Sequence, residues 1–164
     1  MTLLLRKAQP ADIPFLREML YQAVFWRAGA NGPSFEEGLA YPEVSKSLAG
    51  WGERAGDTGV VAMVDSVPAG AAWYRYWTDD NSINGYVDAS TPVLVIAVRR
   101  AYRRRGIGGQ MMAWLVDRAS RQAISRLSLS VSKDNHALKL YRQQGFLEHA
   151  DKGDAWVMVR YLQP

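Results

Sequence analysis

Residues 92–112, PVLVIAVRRAYRRRGIGGQMM, constrain the fold more than any other stretch of this chain. Val93 to Val98 is apolar at every position, which predicts a strand covered on both faces in the middle of a sheet. From Gly106 the period changes. Ile107, Met111, Met112, Leu115, Val116, Ala119 and Ala123 recur at intervals of three and four, the pattern of a helix with one apolar face. A central strand that turns through glycines into a helix aims the free N–H groups of the first helical turn, and the positive end of the helix dipole, at one spot. Arg99, Arg100, Arg103, Arg104 and Arg105 crowd guanidinium charge into the same place. The combination predicts a loop that binds phosphate, and glycines at 106 and 108 let an anion reach the amides where no Cβ intervenes. The spacing excludes two other phosphate loops. Met111 stands where G-x-G-x-x-G needs its third glycine, and no G-x-x-x-x-G-K-[ST] occurs.

The remaining elements fit around that unit. Leu3 to Leu5 predict a short first strand, and QPADIPFLREMLYQAVFW a helix with Asp12 at its start and Gly29 after its end. A second helical stretch, Phe35 to Trp51, is interrupted by Pro42. GVVAMVDSVPAGAAWYRYW predicts two strands around a turn at Asp65 to Pro68, and residues 78–91 a polar loop. In WYRYW, Trp73, Arg75 and Trp77 share one face and Tyr74 and Tyr76 the other, so one face is expected in the core. The other is a core or interface surface, or an aromatic wall for an acceptor. RLSLSVS alternates as a strand with its serines on one side. DNHALKLYRQQG is a short helix, with Asp134 or Asn135 to cap it and Gly145 to end it. FLEHADKGDAWVMVRYL predicts a closing hairpin. The order is mixed α/β, with part of the sheet parallel, and the length suits one domain over residues 1–164.

Composition narrows the chemistry. Zero cysteines exclude disulfides, a thiol nucleophile and thiolate metal sites, and two histidines leave little material for zinc, so no metal is expected. The N-terminus lacks the apolar region of a secretory signal and no run reaches the roughly 20 apolar residues of a membrane span, so the expectation is a cytoplasmic protein without a membrane partner. The basic residues sit on one loop and not along a stripe with stacking aromatics, which argues against nucleic acid.

VRRAYRRRGIGGQMMAWLVDRA resembles the acetyl-coenzyme A signature of the GNAT superfamily of N-acetyltransferases, [RQ]-x-x-G-x-[GA], through Arg103, Gly106 and Gly108. About thirty residues later, SVSKDNHALKLYRQQGF resembles that family's second element through Asn135, Tyr141, Gly145 and Phe146. The resemblance implies an α/β GNAT fold, a mixed sheet of about six to seven strands with splayed central strands and about four flanking helices. It implies acetyl-CoA as cofactor, an amine acceptor of small-molecule or peptide type, and a homodimer as a common state. By the same resemblance, the amides of Arg104, Arg105, Gly106, Ile107, Gly108 and Gly109 cradle the pyrophosphate. The backbone of Ile96 and Val98, on either side of Ala97, pairs with the pantetheine arm, Asn135 hydrogen-bonds it, and Tyr141 stands near the thioester sulfur.

Elementary chemistry supports these roles. An alkylamine of pKa about 10.4 is almost wholly protonated at pH 7, a deficit of about 4.6 kcal/mol, so deprotonation is the harder demand. A tyrosine keeps its proton at neutral pH and can donate it to a leaving thiolate. The strand N–H of Val98 is the expected donor to the acyl oxygen. Many relatives carry a glutamate on the strand PVLVIAV, and this one has no carboxylate there. Glu36, Glu37, Asp79, Asp80 and Asp88, or a water chain ending at a backbone carbonyl, stay open as the base. That gap keeps a second reading, a non-catalytic acyl-CoA-binding regulatory module. Tyr141 taken alone reads more often as a core-facing aromatic, and Asn135 also reads as a helix cap. Lys139 and Arg142 share a helix face within reach of a 3′-phosphate, or are simply solvated; His136 and His149 read as structural or exposed. The resemblance further implies that Trp26 and the loop after it lie where relatives of this fold cap the acceptor site.

Overall fold

The sheet is mixed and seven-stranded, in the order β1-β2-β3-β4-β5-β7-β6. Its strands are β1 (Leu3–Lys7), β2 (Thr58–Val64), β3 (Val67–Arg75), β4 (Val93–Val98), β5 (Arg126–Ser132), β6 (Leu147–Asp151) and β7 (Ala155–Tyr161). The helices are α1 (Ile13–Val24), α2 (Phe35–Ala40), α3 (Pro42–Ser45), α4 (Ile107–Arg121) and α5 (Ala137–Gln143). This computed structural model describes residues 1–27 and 31–162; Gly29, expected to follow the first helix, lies outside them. No helix among the described residues is long and apolar enough to cross a membrane.

Alternation along the strands builds two apolar layers. β2 sends Val60, Ala62 and Val64 to the α4 face, where they meet Met111, Met112 and Leu115. Val61, Ala71 and Trp73 point the other way and are covered by Leu16, Met19 and Leu20 of α1. The β2–β3 turn places Asp65 and Ser66 at φ 48° and 69°, the left-handed pair that a two-residue hairpin requires. The expected second helix divides at Pro42: Tyr41 takes φ −59°, ψ 129°, as a residue before proline must, so α2 stops and α3 restarts with the proline in its first turn.

Neither face of WYRYW is an open wall. Trp73 packs beneath α1, Tyr74 packs beneath α4 with its hydroxyl donating to Gln122 Oε1 at 2.8 Å, and all of Trp73, Tyr74 and Arg75 are buried. The Arg75 guanidinium donates from Nε to Asp57 Oδ1 at 2.8 Å and from Nη2 to Asp57 Oδ2 at 3.1 Å. Its Nη1 donates to the carbonyls of Ser47 and Ala49 at 3.1 and 2.9 Å. Trp51 and Trp77 lie 5.6 and 5.8 Å from the guanidinium carbon. Both members of the pair are 2% exposed. A buried charge is tolerated only when paired and hydrogen-bonded, and here the pairing sews the segment after α3 to the end of β3.

One parallel contact decides the architecture. β4 and β5 pair only at Val93 and Ser128, where the Ser128 N–H donates to Pro92 O at 3.0 Å, and beyond that point the two strands separate.

Candidate active site

The fork between β4 and β5 opens a cleft of about 900 Å³ that runs through the sheet. Which backbone groups face it follows from antiparallel alternation. Arg99 N–H donates to Ala69 O at 2.8 Å, so the 69/99 pair is hydrogen-bonded, and Ala97 and Val95 likewise turn their peptide groups to β3. Ile96 and Val98 therefore turn theirs toward the fork. On the other wall, Lys133 N–H donates to Asp154 O at 2.9 Å and Leu162 N–H to Ser125 O at 2.8 Å, which directs the odd-numbered residues of β5 to β7 and leaves Ser130 and Ser132 facing the gap. Buried strand amides without a strand partner are costly unless something else satisfies them. Two groups are engaged from within the protein: Val98 O accepts from Arg103 Nε at 3.0 Å, and Ser132 O accepts from Asn135 N–H at 3.0 Å.

The glycine loop closes one end of the cleft. Arg104 at φ 63° and Gly106 at φ 78° are both left-handed, and the first α4 bond runs from Gln110 N–H to Gly106 O, so the N–H groups of Ile107, Gly108 and Gly109 have no helical acceptor. Successive amides bent this way form a concave anion site at the positive end of the α4 dipole. A Cβ at Gly106 would meet nothing within 4 Å, so the glycine there answers to φ. A Cβ at Gly108 would lie 3.2 Å from Leu140 Cδ2, so Gly108 also sets how closely α5 approaches α4.

The arginine run does not act as one cluster. Arg99 binds both oxygens of Glu18 on α1 at 2.7 Å and Pro68 O at 2.8 Å, over the ring of Phe15, and so joins α1 to β4. Arg105 lies over the Tyr102 ring, its guanidinium carbon 5.5 Å from the ring centre, and its side chain does not line the cleft. Arg103 and Arg104 do line it, together with Lys139, whereas Arg142 is paired with Glu148 at 2.7 Å.

Tyr141 combines both of its readings. Its ring packs edge-on against Phe146, centroids 6.2 Å apart, it is only 8% exposed, and it lines the cleft. Burial pushes its pKa well above the ordinary tyrosine value, so it stays protonated through neutral and mildly alkaline pH. Asn135 also does two things: its Oδ1 accepts from Ala137 N–H at 2.9 Å, capping α5, and it faces the cleft beside His136, which the sequence offered as structural or exposed. Ile96, Ala97, Val98, Gly106, Ile107, Gly108 and Gly109 are all brought to the same cleft.

The open question of the carboxylate receives a new candidate. Glu37 is held in an N-cap with Ser34. Asp79 accepts from the Tyr86 hydroxyl, which that bond pushes up to about 12. Asp88 accepts from Thr91, Ser90 and Arg126 and is held well below the usual carboxylate range, by the Thr91 hydroxyl above all. Among the described residues the carboxylate that lines the cleft is Glu43, in the first turn of α3. The sequence signal for it was Pro42, which starts a helix as well as ending one. Ile83 and Asn84 from the polar loop also line this side. Gly85 presses so closely on β5 that a Cβ would lie 2.9 Å from Ser130 N and 3.0 Å from Leu129 C.

A splayed parallel pair, a glycine helix start and a tyrosine on the following short helix are now in one cleft. The sequence matches the model of the acetyltransferase (GNAT) family over residues 22–146. The chain belongs to the GNAT acetyltransferase family. Solved structures agree in fold. A GNAT-family acetyltransferase from Streptococcus pneumoniae superposes with a TM-score of 0.72 at 20% identity, covering 99% of this chain and 100% of that one. A putative acetyltransferase from Salmonella typhimurium, solved with its cofactor acetyl-CoA, gives 0.69 at 22% identity, covering 100% and 96%. The PaiA N-acetyltransferase from Thermoplasma acidophilum, solved in complex with coenzyme A, gives 0.70 at 16% identity, covering 98% and 99%. A comparison with curated proteins finds no match. The mixed sheet with its splayed central strands is the fold that the sequence resemblance implied for this GNAT protein.

Proposed function

We propose that this protein transfers an acetyl group from acetyl-CoA to the nitrogen of a primary amine by direct attack, with both substrates bound at once. The observation that carries the reading is the cleft itself. It passes through the sheet, presenting anion-binding amides and unpaired strand groups on the α4–α5 side and an independent mouth beneath α1 and α3. Its volume lies within the range of small-molecule sites. Acetyl-CoA supplies an activated thioester. The amides of Ile107, Gly108 and Gly109 fit its pyrophosphate, with charge from Arg103 and Arg104. Ile96 and Val98 offer peptide groups to its amide-bearing arm, and Asn135 stands beside that arm.

The reaction balances without a protein nucleophile. A C–N bond forms, the C–S bond breaks, and the ammonium loses two protons, one to solvent and one to the departing sulfur. In this reading the Val98 N–H, which faces the fork, donates to the acyl oxygen as charge gathers there. Tyr141, kept protonated by burial, gives its proton to the departing sulfur and is restored by the second proton that the nitrogen sheds, so the net transfer is from nitrogen to sulfur. Thiol release in the presence of a panel of amines tests the reading. Tyr141→Phe is expected to lower kcat by about 10²-fold with little change in acetyl-CoA affinity. Tight acetyl-CoA binding without turnover on any amine would favour a regulatory binding module instead.

A further inference from the structure

The mouth of the cleft away from α4 and α5 has a composition of its own. Leu20, Val24 and Trp26 from α1 and its end, Val44 from α3 and Ile83 from the loop before β4 give it apolar walls. Among the described residues its charge is a single carboxylate, Glu43, which is 82% exposed at the rim with Oε2 3.3 Å from Lys46 Nζ. The other polar side chains there are Gln22, Ser47 and Asn84, all neutral. The cations that line the cleft belong elsewhere: Arg103 and Arg104 come from the glycine loop and Lys139 from α5. Trp26 already carries the guanidinium of Arg27 at 4.9 Å, and Arg27 is itself paired with Asp134. A second cation at that ring would meet a like charge.

We infer that this mouth selects a singly charged amine carried on an apolar body. Glu43 draws the ammonium to the rim, the walls from Leu20 to Ile83 take the hydrocarbon, and the nitrogen sheds its proton as it passes inward to the fork. An amine with further ammonium groups finds no second carboxylate lining this mouth among the described residues, and one bearing its own carboxylate meets there only cations already paired, Lys46 with Glu43 and Arg27 with Asp134. Polyamines, aminoglycosides and free amino acids are therefore poor acceptors, and alkyl or arylalkyl monoamines are good ones. This rests on the acetyl-transfer reading above.

The test is a series of acceptors at saturating acetyl-CoA: ethylamine, propylamine, butylamine, hexylamine and phenethylamine against spermidine and alanine. Along the alkyl series kcat/KM is expected to rise by about fourfold for each buried methylene, and spermidine and alanine are expected to fall below butylamine. Ile83→Ser should flatten the dependence on chain length while acetyl-CoA binding, read by calorimetry, is unchanged. Glu43→Gln should lower kcat/KM for hexylamine about two- to fivefold, the range for an exposed ion pair, and remove most of its salt dependence. A flat chain-length series, or spermidine or alanine as the better acceptor, would overturn this inference and leave acetyl transfer intact. Absence of acetyl-CoA binding to the wild-type protein would overturn the acetyl-transfer reading, and this inference with it.

Discussion

Replacing Arg75 by methionine isolates the strongest buried electrostatic feature of the molecule. The substitution keeps most of the volume but removes four hydrogen bonds, two to Asp57 and one each to Ser47 O and Ala49 O. Asp57 is then left as a carboxylate at 2% exposure with only the Gly52 N–H, at 2.9 Å, still donating to it. Stranding one partner of a buried pair costs about 3–5 kcal/mol. For a chain of this size each kcal/mol lowers Tm by about 2–4 °C, so a fall of about 6–20 °C is expected in thermal unfolding followed by circular dichroism. Removing both charges, as Arg75→Met with Asp57→Leu, should cost clearly less than the two single losses added together. The shortfall measures the coupling of the pair. The two orphaned carbonyls keep the double variant below wild type. The functional readout is separate. Ser47 lines the cleft two residues before Ala49, so in folded Arg75→Met the KM for the acceptor should rise while acetyl-CoA affinity stays close to wild type. A Tm within about 2 °C of wild type, or strictly additive single and double variants, would refute the account of the pair as a mutually dependent unit.

Three further outcomes follow from backbone and charge. Gly106→Ala meets no atom but must hold φ near 78°, so it should cost about 1–2 kcal/mol in thermal unfolding and weaken acetyl-CoA in titration calorimetry; unchanged stability and affinity would remove the left-handed turn from the account. Gly85→Ala carries both a left-handed φ of 99° and a Cβ 2.9 Å from the Ser130 backbone, so it should destabilise the protein more than Gly106→Ala and raise the acceptor KM. Asp88 is depressed in the folded state, so its contribution is fully present above the unfolded aspartate value near 3.9 and is lost only as pH falls through the lower folded value. Amide resonances of Ile83 to Gly85, followed by NMR during acidification, should therefore hold their positions through about pH 4, and in Arg126→Ala they should move at higher pH.

Much of the architecture was legible locally. The unbroken apolar run Val93 to Val98, the change to a helical period at Gly106 and the serine alternation of Arg126 to Ser132 each name an element without reference to the rest of the chain, because side-chain spacing reports which faces are covered. The two short motifs around Gly106 and Tyr141 likewise implied the GNAT fold and a common site. The boundary at Pro42 was visible, but its consequence was not. Proline ends one helix and begins another by the same fixed φ, and only the second role puts Glu43 at the cleft. The acidic residues of the polar loop were offered as bases because sequence distance cannot tell that Asp88 is spent on Arg126 or Asp79 on Tyr86.

By itself, then, the sequence determined the order of strands and helices, the bare amides ahead of α4 and the placing of a tyrosine on the next short helix, all of which are set by neighbours a few positions apart. Tertiary structure alone decided that Arg99 belongs to Glu18 and that WYRYW is buried on both faces. It also decided which residues line the mouth of the cleft beneath α1 and α3. Those outcomes depend on partners tens of residues away, and on where one parallel strand pair stops after a single contact, which no local pattern encodes.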